Sequence, residues 1–292
     1  MIIFLTGATG YIGSAVASEL QKAGHTVIGL ARSDEAAGRL HLRNIAVHRG
    51  DLSSPESLAA AASAADGVIH TGTTNNGDLD QAAVRAMLHA IADTAKPFIY
   101  TSGVWVLGDT GGRMADETWP VNPIPLVAWR PAVEQLVLEA SARGVRSIVI
   151  RPGVVYGRGG GIPADLVQSA RTTGAARYVG NGENRWPMID VDDLADLYVH
   201  ALEIAPVGTV LLATDGSEHR VKEIAEAASI GTGAGGRIES WPLEEARKKL
   251  GGYADALVLD QRVSSERART MLGWKPQASG ILEDLRSGSY LS

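Results

Sequence analysis

The sequence predicts an α/β protein built on a doubly wound parallel sheet, with a smaller region that lies mostly C-terminal. Short runs of β-branched and aromatic residues alternate with alanine-rich stretches through residue 150, which is the pattern of strands and crossover helices. A glycine-rich turn directly follows the first apolar run. With 292 residues and 45% hydrophobic content, the chain is long enough to bury a large core.

The short apolar runs predict six strands, at Ile2–Leu5, Thr26–Leu30, Ile45–His48, Gly67–Thr71, Phe98–Thr101 and Ser147–Ile150. Four helices are predicted between them, near Ile12–Ala23, Pro55–Ala64, Leu79–Thr94 and Pro131–Arg143. Beyond Pro152 the alternation loosens, and the acidic residues from Asp190 to Asp193 are typical of a helix N-terminus. Further elements are predicted around Pro163–Thr172, Arg177–Val179, Val221–Ala228, Leu243–Leu250 and Ser264–Leu272.

The bulk composition disfavours several classes of function. The net charge of −6 opposes electrostatic binding to nucleic acid or to anionic membranes. The absence of cysteine removes disulfides, thiolate nucleophiles and cysteine-ligated metals. The seven histidines and the acidic residues show no metal-ligand spacing, so no metal is expected. The chain opens on a strand and has no apolar run of about 20 residues, so we expect a cytoplasmic protein without a signal peptide or a membrane partner.

The turn after the first predicted strand carries the pattern of a dinucleotide-binding site. Residues 6–13 read Thr-Gly-Ala-Thr-Gly-Tyr-Ile-Gly. Glycine permits the tight turn, the close approach of backbone to a pyrophosphate and the packing of the helix on the sheet. The helix N-terminus then offers free N–H groups to the anion. The sequence therefore predicts a Rossmann-type site, with cofactor contacts at Gly7, Thr9, Gly10, Tyr11 and Ile12.

The residues after the second predicted strand bear on the choice between NAD and NADP. NAD sites place an acidic residue at this strand end to hold the ribose 2′-hydroxyl, whereas NADP sites carry a nearby arginine. Here the strand runs into Arg32 and Ser33, which are expected to receive a 2′-phosphate. Asp34 and Glu35 follow directly, and the alternative is that Arg32 is a solvated surface charge. NADP(H) is favoured over NAD(H), which stays open.

Several short motifs in a fixed order resemble those of the short-chain dehydrogenase/reductase superfamily, in its extended, NAD-dependent epimerase/dehydratase-like branch. The resemblance covers nearly the whole chain and rests on Thr6–Gly13, Gly50–Leu52, Val68–His70, Phe98–Ser102, Arg151–Gly157, Asp190–Ala195 and Leu272–Pro276. The resemblance implies that Asp51 and Leu52 contact adenine and that Thr71 and Gly72 line the cofactor behind the fourth strand. It also places Pro152 and Val154 near the nicotinamide.

The chain departs from this superfamily at the expected catalytic centre. The superfamily uses a serine after the fifth strand and a Tyr-x-x-x-Lys pair, in which the lysine lowers the pKa of the acid/base tyrosine. Alignment places Gly103 at the serine position, Leu126 at the tyrosine and Arg130 at the lysine. No tyrosine of this chain has a lysine four residues later. The chain therefore resembles the atypical members, which often lack this pair.

Ser102, Arg130 and Tyr156 remain as catalytic candidates. Arg130 keeps a positive charge near the lysine position and is also a candidate contact to the nicotinamide ribose, but its pKa above about 12 prevents proton donation. The structural alternatives are a helix-start surface residue for Arg130, a backbone-bonded hydroxyl for Ser102 and a packing role for Tyr156. The loop hydroxyls of Thr73 and Thr74 are further candidate proton donors.

The long segment Val104–Trp129 contains Trp105, Trp119 and Trp129 and is expected to cover a bulky, apolar substrate pocket. Packing of these aromatic rings in the core is the alternative. Asp116 and Glu117 in this segment are expected to be solvated. We expect residues 1–155 to bind the dinucleotide and residues 156–292 to form mainly the substrate-binding region, with some segments returning to the Rossmann core.

The predicted function is an NADP(H)-dependent oxidoreductase that reduces a carbonyl or imine of a small, fairly apolar metabolite without the usual Ser/Tyr/Lys triad. Two alternatives stay open: an NAD(P)-dependent epimerase or dehydratase, and a non-catalytic NADP(H)-binding redox sensor. The missing triad favours the sensor, whereas the tryptophan-rich segment and the C-terminal region favour the enzyme. The resemblance further implies a homodimer through the helices near Leu79–Thr94 and Pro131–Arg143, and burial of these faces within the monomer is the alternative.

Overall fold

The computed structural model describes residues 1–291, which form thirteen β-strands and twelve α-helices. The strands are β1 (Ile2–Thr6), β2 (Thr26–Ala31), β3 (Ala46–Arg49), β4 (Gly67–His70), β5 (Pro97–Thr101), β6 (Met114–Ala115), β7 (Arg146–Pro152), β8 (Val154–Tyr156), β9 (Ala176–Val179), β10 (Met188–Asp190), β11 (Thr209–Ala213), β12 (Ile238–Trp241) and β13 (Arg262–Val263). The helices are α1 (Tyr11–Lys22), α2 (Asp34–His41), α3 (Pro55–Ala64), α4 (Gly77–Ala90), α5 (Arg130–Glu139), α6 (Pro163–Thr173), α7 (Val191–Ile204), α8 (Val221–Gly231), α9 (Leu243–Leu250), α10 (Tyr253–Leu257), α11 (Glu266–Leu272) and α12 (Ile281–Ser287). None of these helices is long and apolar enough to cross a bilayer.

Seven parallel strands form the central sheet in the spatial order β3–β2–β1–β4–β5–β7–β11. The chain moves outward from β1 to β3 on one side and outward from β4 on the other. A crevice opens at the carboxyl ends of the strands where this order reverses, which is between β1 and β4. The predicted doubly wound sheet of Rossmann type is confirmed.

The two faces of the sheet bury separate apolar layers. Strand β1 shows the alternation directly, because Ile3 and Leu5 belong to one layer and Phe4 to the other. Helices α1, α7 and α11 contribute to the first layer, and helices α3, α4 and α5 contribute to the second. The sheet is therefore covered on both faces, and its carboxyl edge is the place where polar groups can meet a ligand.

The residues beyond Pro152 divide between the sheet and a smaller unit. Strand β11 pairs with β7 and completes the sheet, and helix α7 packs against α1. Helices α6, α8 and α12 enclose a separate apolar core. The parallel pairs β8–β10 and β9–β12 also belong to this part of the chain. The C-terminal part of the sequence thus contributes to both units.

Two elements of the Rossmann unit were not predicted from the sequence. Strand β11 is an edge strand, and its pairing with β7, Thr209 opposite Ile148, is formed by residues about 60 positions apart. Helix α2 is short and polar, with three buried residues in its eight. Its start is fixed by Ser33, whose hydroxyl oxygen accepts the N–H of Ala36 at 3.2 Å.

The segment Val104–Trp129 packs against an edge of the sheet rather than forming an open loop. It contains β6, which pairs with β13, and two short 3-10 helices. The side chain of Glu117, expected to be solvated, is instead only 3% exposed. Its carboxylate accepts the backbone N–H of Leu212 on β11 at 3.1 Å and lies 3.4 Å from Arg267. The carboxylate thus satisfies an N–H of the edge strand that has no strand partner on that side.

A bidentate ion pair joins the sheet to helix α5 inside the protein. Arg151 Nε lies 3.0 Å from Glu134 Oε1, and Arg151 Nη2 lies 2.6 Å from Glu134 Oε2. The two residues are 6% and 3% exposed. Loss of one partner from such a pair leaves the other charge buried and uncompensated.

We expect Glu134→Gln to lower the free energy of unfolding by about 3 kcal/mol, because the Arg151 charge loses its counter-charge. The double variant Glu134→Leu/Arg151→Met is expected to be less destabilised than the single variant, because it buries no charge. Chemical denaturation measures both values. Glu239→Gln, in the exposed pair between Arg177 and Glu239, is the matched control and is expected to cost less than about 1 kcal/mol. Equal losses at the two sites would contradict the prediction.

Candidate active site

The turn between β1 and α1 has no room for side chains. Gly7 has a φ of +70°, and a Cβ atom there would stand 2.7 Å from the backbone nitrogen of Gly72. A Cβ atom on Gly13 would stand 2.1 Å from the carbonyl oxygen of Gly7. No side chain caps the N-terminus of α1. The N–H groups of its first turn are therefore free to bind an anion that approaches the turn.

A cavity of about 750 Å³ lies over this turn and over the residues that follow β2, β3 and β4. We call it the dinucleotide cavity. Eleven of the residues that the sequence assigned to the cofactor line it together: Gly7, Thr9, Gly10, Tyr11, Ile12, Arg32, Ser33, Asp51, Leu52, Thr71 and Gly72. The missing Cβ atoms, the uncapped helix and the size of the cavity fit a dinucleotide bound by its pyrophosphate.

The end of the cavity that follows β2 and β3 carries charges of both signs. Arg32, directly after β2, and Arg39 on α2 both line the dinucleotide cavity, and within residues 1–291 neither forms an ion pair. Asp34, which adjoins Arg32 in sequence, is paired with Arg49 on β3 and does not line the cavity. Glu35 and Asp51 are the acidic residues that line this end beside the two arginines. This end of the cavity therefore offers two guanidinium groups and two carboxylates to a ligand.

Asp51 supplies an ionised acceptor at the same end of the cavity. Its Oδ1 atom accepts the hydroxyl and the backbone N–H of Ser53, at 2.7 and 2.8 Å. The hydroxyl bond above all, together with the backbone bond, lowers the pKa of the Asp51 carboxyl below its usual range. A fixed carboxylate of this kind can accept a hydrogen bond from an amino group of a base.

A second cavity of about 590 Å³ adjoins the first, and Tyr11 and Ile12 line both. We call it the apolar chamber. Its walls include the aromatic side chains Trp105, Trp129 and Tyr253, and the rings of Trp105 and Tyr253 meet edge to face at 6.1 Å. Trp129 packs closely against the start of α4. A Cβ atom on Gly77, the first residue of that helix, would stand 2.7 Å from the Cβ atom of Trp129. The predicted cofactor contacts Pro152, Val154 and Arg130 also lie here.

A cation faces the apolar chamber beside the carboxyl end of β5. Arg130 donates from Nη1 to the carbonyl oxygen of Thr101 at 3.1 Å, and its guanidinium lies 5.0 Å from the ring centroid of Trp129. Within the described chain no carboxylate pairs with Arg130. Ser102 also lines the chamber, but its hydroxyl oxygen is buried in the wall and has no hydrogen-bond partner among residues 1–291. The cation of Arg130 is suited to an oxygen that gains negative charge.

The other candidate proton donors are engaged elsewhere. Tyr156 lines neither cavity, because it is buried in the core around α6 and α8, with its hydroxyl 3.4 Å from Asp215. Its position is that of a packing residue, away from both cavities. Thr73 and Thr74 donate their hydroxyls to the buried carboxylate of Asp80, at 2.5 and 2.6 Å. These bonds hold the loop before α4 in place.

Several residues that line the two cavities, among them Arg39, Asn75 and Tyr253, were not predicted from the sequence. Arg39 lies on the unpredicted helix α2, so its position beside Arg32 was hidden with that helix. Asn75 and Tyr253 line the apolar chamber. Burial, with a smaller contribution from Asp165, raises the pKa of Tyr253 to about 12. This is opposite to the lowered pKa of an acid/base tyrosine beside a lysine.

The wall shared by the two cavities is held by the C-terminal segment. The Tyr11 hydroxyl donates to the carbonyl oxygen of Gly157 at 2.7 Å. A Cβ atom on Gly160 would stand 2.5 Å from the ring of Tyr11. The Tyr290 hydroxyl accepts the N–H of Gly157 at 3.1 Å and donates to the carbonyl oxygen of Gly160 at 2.6 Å. The position of Tyr11 thus depends on a loop that Tyr290 fastens.

The fold and the first cavity define a protein of the Rossmann class, built to bind a dinucleotide. The defining features are the order of the strands, the glycine turn after β1 and the dinucleotide cavity above that turn. Residues 3–211 match the NAD dependent epimerase/dehydratase family, and the chain belongs to that family. This confirms the resemblance to extended short-chain dehydrogenases/reductases. Among residues 1–291 no group of three or more His, Asp or Glu side chains is arranged to hold a metal ion.

Relatives and solved structures agree with this assignment. The chain is 36% identical to the uncharacterized protein YLL056C of Saccharomyces cerevisiae, over the full length of both. It is 27% identical to a 2-alkyl-3-oxoalkanoate reductase of Stenotrophomonas maltophilia, over 98% of each chain. The structure of the human epimerase family protein SDR39U1 with NADPH is similar in fold, with a TM-score of 0.76, 22% identity, and coverage of 99% of both chains.

Below the carboxyl ends of β4 and β5, His70 and Tyr100 form a buried stack with ring centroids 5.9 Å apart. The His70 Nδ1 atom is 2.7 Å from the Thr6 hydroxyl. Burial lowers the pKa of His70 to about 4, so the ring is neutral in the folded protein at neutral pH.

This lowered pKa predicts a loss of stability on acidification. An unfolded histidine has a pKa of about 6.5, so between about pH 6.5 and pH 4 the unfolded chain binds a proton that the folded chain does not. The His70 contribution is therefore present above pH 6.5 and is lost as the pH falls, by up to about 3 kcal/mol. Urea unfolding at several pH values measures the slope. His70→Phe is expected to reduce the slope, and His89→Gln, at the exposed end of α4, to leave it unchanged. An unaltered slope in His70→Phe would refute the prediction.

Proposed function

We propose that the protein is an NADP(H)-dependent oxidoreductase that reduces a carbonyl or imine of a small, apolar substrate. The observation that carries the proposal is the junction of the two cavities at Tyr11 and Ile12. One cavity has the backbone of a dinucleotide site. The other is mainly apolar and carries the cation of Arg130 at one end. When a reduced nicotinamide is bound, it supplies a hydride.

The residues of the dinucleotide cavity support NADP(H) as the cofactor. The Gly7–Gly13 turn would hold the pyrophosphate, and Asp51 with Leu52 would hold the adenine. Arg32 and Arg39 would hold the 2′-phosphate, because they are free of ion pairs while Asp34 is paired with Arg49. The NADPH bound to the structurally similar human protein agrees with this choice.

The chamber residues would act on the substrate oxygen. The aromatic walls exclude water, which strengthens electrostatic interactions inside the chamber. Arg130 stabilises negative charge that develops on the oxygen. Arg130 keeps its proton at neutral pH, so the proton that completes the reduction comes from water or from a side chain outside the usual triad. The reductase named among the relatives is consistent with this reaction class.

Removal of Arg32 tests the cofactor assignment. We expect Arg32→Ala to weaken NADPH binding about tenfold, through loss of a charge-assisted bond to the 2′-phosphate, and to leave NADH binding nearly unchanged. Isothermal titration with both cofactors gives the two dissociation constants. Arg43→Ala is the matched control, because Arg43 follows α2 but does not line the cavity. An NADPH affinity unaffected by Arg32→Ala would assign that arginine to the solvated surface.

Turnover tests the reaction. NADPH oxidation is followed with a panel of apolar ketones, aldehydes and imines, and it is expected to require both the protein and a substrate. Arg130→Gln is expected to lower kcat/KM about 100-fold, the usual effect of losing a group that stabilises an oxyanion. Arg113→Gln is the control, because Arg113 also lies over a tryptophan, Trp119, but outside the chamber.

Two other outcomes would redirect the proposal. Tight NADPH binding without turnover over the whole panel would favour a redox sensor. Failure to bind both NADPH and NADH would overturn the dinucleotide site itself.

A further inference from the structure

The polar end of the apolar chamber combines a cation with no acid suited to give up a proton. Of the described residues that line the chamber, Arg130 alone is charged. Its guanidinium is anchored to Thr101 and Trp129, and within residues 1–291 no carboxylate neutralises it. The hydroxyl oxygen of Ser102 is buried in the wall. The site can stabilise an anion but is poorly equipped to protonate one.

Two tyrosines line the chamber, and neither is a proton donor for an oxygen bound at Arg130. Tyr11 donates its hydroxyl to Gly157. Tyr253 lies against Trp105, and its pKa responds to burial and to Asp165. Arg130 is held at a different wall, by the carbonyl oxygen of Thr101 and the ring of Trp129.

This arrangement discriminates between classes of hydride acceptor. Hydride addition to an isolated ketone leaves an alkoxide at least as basic as hydroxide, and it requires a proton donor in the transition state. Hydride addition to a quinone leaves a phenolate, whose conjugate acid has a pKa of about 10. A neighbouring cation stabilises that delocalised anion, and water protonates it afterwards. A cationic iminium would be repelled by Arg130.

The form of the chamber agrees with a flat acceptor. Trp105, Trp129 and Tyr253 supply aromatic faces and edges on its walls, and these favour stacked or edge-to-face contact with another ring. No described acidic side chain lines the chamber to oppose an anionic product.

We propose, on the basis of the reductase function above, that the natural substrate is a planar, conjugated carbonyl compound of the quinone class. It lies beside the aromatic rings of the chamber with one oxygen at Arg130. The C–H bond of the reduced dinucleotide breaks, and its hydride, which carries two electrons, forms an O–H bond at the other quinone oxygen. The ring π electrons shift, and the oxygen at Arg130 becomes a phenolate, which is held by Arg130 until it takes a proton from water. In total, quinone, reduced dinucleotide and one proton give hydroquinone and oxidised dinucleotide.

A pair of bicyclic probes tests the substrate class. Under anaerobic conditions and after subtraction of the protein-free rate, NADPH oxidation with 1,4-naphthoquinone is expected to exceed that with 1-tetralone at least about 100-fold. 1-Tetralone has the same fused-ring skeleton but leaves a localised alkoxide. The chain contains no cysteine, so addition of the quinone to protein thiols does not disturb the assay.

Binding without turnover gives a second readout. With the protein saturated in NADP+, quenching of tryptophan fluorescence measures the affinity for 1,4-naphthoquinone and for 2-hydroxy-1,4-naphthoquinone, which carries a delocalised negative charge at neutral pH. The anionic probe is expected to bind about tenfold more tightly than the neutral one. Arg130→Gln is expected to abolish this difference, and Arg113→Gln to preserve it.

The outcomes separate this proposal from the reductase proposal. Reduction of 1-tetralone at a rate within tenfold of the quinone rate would overturn the substrate class and leave the reductase in place. Loss of quinone reduction in Tyr253→Phe would assign proton transfer to that hydroxyl and would also overturn the class. NADPH binding without oxidation by any compound would overturn both proposals. Equal affinity for the two naphthoquinones would remove the anion-binding role of Arg130.

Discussion

The close contact between the carbonyl oxygen of Gly7 and the Cα of Gly13 is the constraint on which the rest of the site depends. A single methyl group at Gly13 would collide with that oxygen. Because both positions lack side chains, α1 begins immediately after β1 and directs its free N–H groups into the crevice between β1 and β4. The dinucleotide cavity, and the chamber that meets it at Tyr11 and Ile12, are both arranged around this start of α1.

Features encoded within a few residues could be predicted from the sequence, whereas features that depend on distant pairing could not. The glycine turn, the first six strands of the sheet and the residues after β2, β3 and β4 are local patterns, and the structure gathers them in one cavity. Strand β11 escaped notice because its identity comes from pairing with β7. Tyr253 reaches the chamber from a part of the chain about 150 residues beyond Ser102, and no local pattern marks such an approach. Arg39 was missed because helix α2 itself was missed. Only three small or aliphatic residues form the apolar face of that helix, which is too few for a recognisable helical pattern.

The apolar chamber holds one charged side chain among the described residues that line it. Leu126 and Arg130, which the sequence comparison with the superfamily places at its tyrosine and lysine positions, both line this chamber. Leu126 adds apolar surface, and Arg130 supplies a cation. Ser102 lines the same chamber with its hydroxyl oxygen buried in the wall. A chamber of this composition is suited to reactions in which charge is delocalised over the substrate.

Tyr290 ties the loop at Gly157–Gly160 and through it the ring of Tyr11, which belongs to the opposite end of the chain. During synthesis the glycine turn emerges about 280 residues before Tyr290, so the loop that supports Tyr11 gains its last two hydrogen bonds long after the turn itself has formed. The wall shared by the two cavities is therefore among the last parts of the site to become fixed as the chain folds.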